Sequence, residues 1–385
     1  MIPKSNIPRF LNKFLKQPIY GIKVGLKRFR AYQFYKKGNG FAPPPESITL
    51  FLTHRCNLRC KMCGQWGESG VTKEVSTEII KKELTWEEMQ NLIFQFQKFK
   101  PNITLFGGEP LLYQHVIRLI QELKKIPLHV LMITNGSLLD KYALSLVKQG
   151  LDEINLSLDG DEKLHDEIRG LPGLFNRITK GIKEIQNIKK KFKRKKPLIN
   201  LQCTITKWNY KYLERLLKVG EELEVDSLTY HHLIFLSEEI YIRQEKEFQR
   251  DFGCGSLEWK GFVFSPEIDV EILIKKIDEI KRMKKSFSVD FYPAFKDEEI
   301  KEYYNNPEFK SKTYSDYCLS PWIVAYIFPD GNVKPCLNLD YIFGNVKEED
   351  FLSIWNGERA VNFRRRLKKI KAYPACFRCT EFYRY

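Results

Sequence analysis

Hydrophobic positions through the middle of the chain alternate between two periods. Short apolar runs at Ile48–Thr53, Ile103–Phe106, Leu128–Ile133, Glu153–Leu158, Leu198–Thr206 and Ser227–His231 read as strands. Between them lie stretches whose apolar residues recur three and four apart. These predict helices over Thr85–Phe99, Gln114–Lys125, Lys141–Gln149, Phe175–Lys190 and Tyr210–Leu223. Thr85, with Glu88 three residues on, is a capping-box start, and Gly150 closes the third helix. Strands alternating with helices imply right-handed crossovers and a parallel sheet, so the expected class is α/β with a partial (β/α)6, TIM-like barrel over residues 47–231.

The pattern changes on either side. Residues 232–312 are less regular and read as a bridging or substrate region, with a helix at Ile268–Lys284 and a short strand at Phe287–Phe291. Residues 313–385 read as a small α+β domain. A hairpin, Trp322–Phe328 and Asn332–Pro335, turns at Asp330–Gly331, and helices follow at Asp350–Trp355 and Glu358–Ile370. Before the barrel, Phe10, Leu11, Phe14 and Leu15 form one helical face up to Pro18. Ile19, Ile22, Leu26, Phe29 and Tyr32 continue at helical spacing. Gly38–Asn39–Gly40 and Pro43–Pro44–Pro45 then mark the end of an arm, residues 1–46.

Charge changes the picture of that arm. The chain of 385 residues carries a net +16, and ten of its cations (Lys4, Arg9, Lys13, Lys16, Lys23, Lys27, Arg28, Arg30, Lys36, Lys37) precede the first acid, Glu46. Three readings stand for the arm: an apolar face packed on the barrel wall, a helix lying in an anionic membrane interface, and a nucleic-acid contact. The last ranks third, because no base-reading motif accompanies it. A second basic run, Lys189–Lys196, reads as a solvated loop. No apolar run is long enough to span a bilayer, and no secretory signal is visible. Nine cysteines, unevenly clustered, fit metal ligation in a reducing cytoplasm better than a disulfide framework.

The cysteines fall in two groups. Cys56, Cys60 and Cys63 follow the first strand in a C-x3-C-x2-C spacing. Thiolates suit iron–sulfur clusters, zinc and copper(I), and three thiolates leave one iron of a cubane open to another ligand. Unusual residues also gather at the other strand ends: Gly107–Gly108–Glu109–Pro110, Thr134–Asn135–Gly136 and Ser157–Leu158–Asp159–Gly160. Together these motifs, over roughly residues 47–230, resemble the radical S-adenosylmethionine (SAM) superfamily. The resemblance implies a 4Fe–4S cluster on Cys56, Cys60 and Cys63, with SAM chelating the open iron. It also implies SAM contacts from Gly107, Gly108, Glu109 and Pro110 (the amino group), Asn135, Ser157, Asp159 and Arg169. Met62 stands where the family often has an aromatic residue, and its thioether can pack on adenine.

Cys318, Cys336, Cys376 and Cys379 form the second group, suited to one 4Fe–4S cluster or one zinc. After a radical SAM barrel, the pattern resembles the SPASM/twitch extension, which implies a second, auxiliary 4Fe–4S cluster. The full SPASM pattern has more cysteines after the C-x2-C pair, so the shorter twitch form is expected. Cys203 lies inside a strand and reads as core. Cys254, between glycines, is a candidate hydrogen-atom donor beside the plainer reading of a loop cysteine. His231 and His232 end the sixth strand and are candidate acid/base groups, and alternation allows only one to face the cavity.

The resemblance implies an enzyme that reductively cleaves SAM to methionine and a 5′-deoxyadenosyl radical, which takes hydrogen from an unactivated C–H. It implies an electron donor such as ferredoxin or flavodoxin. The expected substrate is a peptide or protein. The alternatives are a small molecule, sugar or lipid headgroup at a membrane surface, or, in another class, a non-enzymatic metal-binding nucleic-acid scaffold.

Overall fold

A computed structural model describes residues 18–385, so the face read at Phe10, Leu11, Phe14 and Leu15 lies outside the described residues. Helix α1 (Pro18–Lys37) leads into β1 (Ser47–Phe51). Then follow α2 (Thr77–Lys81), α3 (Trp86–Phe96), β2 (Asn102–Phe106), α4 (Val116–Lys125), β3 (Val130–Thr134), α5 (Leu139–Lys148) and β4 (Glu153–Ser157). The barrel continues through α6 (Glu162–Arg169), α7 (Leu174–Lys191), β5 (Leu198–Thr204), α8 (Arg215–Glu222) and β6 (Ser227–His231). Beyond it come α9 (Glu238–Phe252), α10 (Val270–Arg282), β7 (Ser288–Tyr292), α11 (Asp297–Asn305), β8 (Val324–Ile327), β9 (Asn332–Lys334), β10 (Gly344–Asn345), α12 (Phe351–Trp355) and α13 (Glu358–Ile370).

Among the described residues, all ten strands join one unclosed sheet in the order β10-β9-β8-β1-β2-β3-β4-β5-β6-β7. The six expected strands are its centre, and two more extend it in parallel. Strand β7 pairs with β6, and β8 of the C-terminal hairpin pairs with β1, Ser47 opposite Val324. The hairpin therefore builds onto the barrel sheet. Alternate residues split the sheet's two faces. Ile103, Leu105, Val130, Met132, Ile154, Leu156, Ile199 and Leu201 are buried under the helices. Thr104, Leu131, Ile133, Asn155, Gln202 and His231 face a lumen of about 450 Å3. Each fully buried leucine or isoleucine contributes roughly 1.5–3 kcal/mol, which ties register to stability.

The capping box forms as read: Thr85 N donates to Glu88 Oε2 (2.8 Å) and Glu88 N to Thr85 Oγ1 (3.3 Å). Residues 232–312 are more regular than their pattern suggests. Helix α9 escapes notice because its buried positions, Ile240, Gln244 and Phe248, give one residue per turn, one of them polar. The basic run begins in the last turn of α7 and continues through the exposed loop after it, with Lys196 Nζ 2.6 Å from Asp152 Oδ1.

The arm differs from expectation in which side it buries. Val24, Ala31 and Tyr35 face inward, while Ile22, Leu26 and Phe29, the expected packing face, point out. Arg28 Nε donates to Glu46 Oε2 (2.8 Å), Lys27 Nζ to Lys100 O (2.9 Å), and Tyr35 meets Trp322 edge-on at 5.1 Å. The linker after α1 is laced to the C-terminal helices. Ala42 N and O bond the Asn356 side chain (2.9 Å each), Trp355 Nε1 donates to Pro43 O (2.8 Å), and Arg365 Nε donates to Asn39 O (2.9 Å). Among the described residues, no helix is long and apolar enough to cross a membrane.

Candidate active site

The first cysteine group sits on the loop leaving β1, held by the next strand end. Leu52 N donates to Phe106 O, Gly108 N to Thr53 O and Glu109 N to Arg55 O (2.8, 2.8 and 2.9 Å). That closeness explains the glycine pair. A Cβ on Gly107 would lie 2.6 Å from Thr53 O, and one on Gly108 would lie 2.3 Å from Arg55 O. Any side chain there would push the cysteine loop away. On the far side, Lys61 N donates to Ile168 O (3.0 Å), tying the loop to α6.

Each thiol receives an N–H. Asn135 Nδ2 reaches Cys56 Sγ (3.8 Å), Arg169 Nη1 reaches Cys60 Sγ (3.7 Å), and Trp66 N reaches Cys63 Sγ (3.4 Å). Burial raises the Cys56 thiol to about 11. It also raises Cys60, against a counter-pull from Arg169. Neutral thiols in this setting become thiolates on metal binding, with proton release. Three sulfurs within Coulomb range of one another, each with an N–H donor, suit a three-thiolate cluster, since hydrogen bonds to sulfur tune such clusters.

Around the thiols the structure brings together most of the residues read as SAM contacts, and gives several of them a bracing role. Asp159 is buried, and Arg169 Nε lies 2.6 Å from its Oδ2. Burial opposes the Arg169 charge, and Asp159 and Cys60 more than offset it. Thr204 N donates to Asp159 Oδ1 (2.9 Å), Asp159 N donates to His165 Nδ1 (3.1 Å), and Asn209 Nδ2 donates to Asp159 O (2.9 Å). His165 and Asn209 were not singled out in the sequence. A lone histidine in a helix carries no signal, and its part here depends on the fold. Asn135 turns toward the cysteine loop, donating also to Asn57 Oδ1 (3.1 Å). Ser157 ends β4 and is half-buried, on the same face as Asn155 in the lumen wall. Met62 packs half-buried against the core, and Pro110 is buried at the start of a short turn.

Glu109 is fully buried. Its Oε1 accepts from Thr134 Oγ1 (2.7 Å) and Leu111 N (3.0 Å), and its Oε2 from Asn135 N (2.8 Å). Burial nevertheless raises its pKa from 4.5 to about 7. The folded state thus holds this proton more tightly than the unfolded chain. The stabilisation is complete below about pH 4.5 and is lost as pH rises through about 7, a contribution of about 3 kcal/mol. In cluster-free protein, denaturant unfolding should show the wild type losing about that much relative to Glu109→Gln between pH 5 and pH 8. Parallel pH profiles for the two proteins would show that Glu109 does not titrate in this range.

Of the histidine pair, His231 faces the lumen, its Nε2 2.6 Å from Gln202 Oε1. His232 does not. It lies buried behind the sheet, Nδ1 3.0 Å from the Tyr304 hydroxyl, and burial lowers its pKa to about 3. Alternation along β6 separates the two, which removes His232 as a lumen acid/base. Cys254 belongs to neither cysteine group. It follows α9 beside Asp340, Arg359 and Lys334, with its thiol pKa raised by burial. Cys203 is core, as expected.

The second group assembles from three places. Cys318 precedes β8, Cys336 follows β9, Cys376 lies within the turn Pro374–Arg378 and Cys379 caps its end. Burial raises all four thiols, and Cys318 feels the charge of the other three. Among the described residues, no three His, Cys, Asp or Glu side chains converge tightly enough for a single ion. A cubane asks less, because each iron takes one thiolate. No two of the nine cysteines are joined in a disulfide.

Comparison with known proteins places this geometry. Residues 50–219 match the radical SAM superfamily, and residues 318–380 match the SPASM iron–sulfur cluster-binding domain. The chain is 30% identical over 315 residues to a probable GTP 3′,8-cyclase of Sulfurisphaera tokodaii, covering 81% of this chain and 86% of that one. It is 25% identical over 354 residues to Fe-coproporphyrin III synthase of Methanosarcina barkeri, covering 85% and 79%. Among solved structures, Streptococcus suis SuiB bound to precursor peptide SuiA superposes with a TM-score of 0.62 at 16% identity, over 93% of this chain and 78% of that one.

Proposed function

This chain belongs to the radical SAM superfamily, and we propose that the substrate of this enzyme is a peptide or protein side chain that enters the lumen. Cys56, Cys60 and Cys63 would hold the SAM-binding 4Fe–4S cluster, and Cys318, Cys336, Cys376 and Cys379 would hold the auxiliary one. Bound there, the cluster and SAM supply the reductively generated 5′-deoxyadenosyl radical. The protein's own work is orientation and exclusion of water. Asp159 and His165 fix Arg169 against Cys60, and Glu109 and Asn135 fix the loop from the other side.

The lumen wall carries the substrate reading. Its volume of about 450 Å3 lies within the range of small-ligand pockets, roughly 300–1,000 Å3. Thr104, Asn155, Gln202 and His231 offer hydrogen-bonding groups beside Leu131 and Ile133. The lumen's basic side chains already have acidic partners: Arg28 with Glu46, Arg384 with Glu381, and His129 with Glu153. That lining suits a neutral polar side chain better than a triphosphate, although a probable GTP 3′,8-cyclase and an Fe-coproporphyrin III synthase are among the relatives. An electron donor such as ferredoxin or flavodoxin completes the reading.

Carbon-deuterated synthetic peptides, pooled to include every side-chain type, should pass deuterium into 5′-deoxyadenosine. Unlabelled SAM cleavage should persist in Gln202→Leu and His231→Leu, while deuterium transfer falls at least tenfold. Transfer from deuterated GTP, with none from the peptide pool, would overturn the peptide reading.

A further inference from the structure

We propose that the outward face of α1 is a docking surface for an anionic lipid bilayer. The helix carries apolar residues on two opposite sides, and the fold uses only one. Val24, Ala31 and Tyr35 are buried against the barrel, whereas Ile22, Leu26 and Phe29 are 54%, 65% and 62% exposed. These three stand at i, i+4 and i+7, so they form one continuous row. A row of large apolar side chains held in water on a rigid helix marks an interaction surface.

Charge says what covers it. Lys23, Arg30, Lys36 and Lys37 are exposed beside the row, and α1 contains no acidic residue. Among the described residues, no carboxylate pairs with any of these four cations. The chain before Pro18 adds Lys4, Arg9, Lys13 and Lys16 and again no acid. Two copies meeting through this face would bring like charges together, and nucleic acid held by its phosphates would leave the apolar row unused. A bilayer surface with anionic headgroups meets both demands, with the row at the acyl boundary and the cations among the headgroups. Because the inner side of α1 is already anchored through Arg28, Lys27 and Tyr35, docking orders no new helix.

Those anchors also decide the experiment. Deleting the arm would uncover core around Tyr35 and Trp322, so point variants of the full chain are the better probe. The wild type should co-sediment with phosphatidylglycerol/phosphatidylcholine vesicles at low ionic strength, and release as salt rises. Each exposed cation contributes about a fivefold factor in partitioning. Leu26→Glu/Phe29→Glu should weaken binding at least tenfold while iron content and circular dichroism stay unchanged. Lys23→Gln/Arg30→Gln should lose most of the preference for anionic over pure phosphatidylcholine vesicles. No co-sedimentation of the wild type at low salt would overturn the proposal, as would equal binding by Leu26→Glu/Phe29→Glu. A wild-type dimer that this variant lacks would overturn it too, making a second copy the occupant.

Discussion

Alanine at Cys56, Cys60 and Cys63 together will reduce SAM cleavage to the uncatalysed background. Anaerobically reconstituted wild type, reduced with dithionite, should convert SAM to 5′-deoxyadenosine and methionine, measured by chromatography. The triple variant should form neither product. The loss will not come from unfolding, because the loop is held by main-chain bonds that survive the substitutions: Gly108 N to Thr53 O, Glu109 N to Arg55 O and Lys61 N to Ile168 O. Circular dichroism and the unfolding midpoint should therefore stay close to wild type. Continued 5′-deoxyadenosine formation by a folded triple variant would place the cluster elsewhere.

The same variant separates the two metal centres. Wild type should hold about eight irons and the triple variant about four, since each cubane carries four. Replacing Cys318, Cys336, Cys376 and Cys379 with alanine should remove the complementary four. It should leave SAM cleavage measurable but abolish substrate product. Because Cys318, Cys336 and the terminal pair come from three separate segments, the quadruple variant should also lose stability, lowering its melting temperature by several degrees. One zinc per chain in the triple variant, with no iron, would instead identify the second centre as a zinc site.

The chemistry was legible because the reacting groups announce themselves in sequence. Closely spaced thiols have few other uses, and the glycine pair and Ser157–Leu158–Asp159–Gly160 stand at strand ends, where a parallel barrel gathers its site. The roles of those residues were less legible. Nothing local indicates that Asn135 bonds Cys56 Sγ, or that Glu109 is closed off by Thr134 and Asn135. Those contacts are made between strands far apart in the chain. Periodicity also could not choose a face for α1, because apolar residues occupy both sides and only tertiary packing decides which is buried. The parallel pairing of β8 with β1 was hidden for a related reason. A hairpin pattern gives the pairing within itself and says nothing of the third strand beside it.

That last pairing has a consequence for how the protein is made. Strand β1 leaves the ribosome well before one of its two neighbours, β8, whose Val324 stands opposite Ser47. The linker ahead of β1 waits longer still, since Ala42 bonds to Asn356, 314 residues on. At about 5–20 residues per second, one edge of β1 stays unpaired for on the order of tens of seconds during synthesis. An open strand edge is a template for wrong partners. The nascent chain therefore carries its first three thiols on a partial sheet, and closes that flank only when β8 has been made.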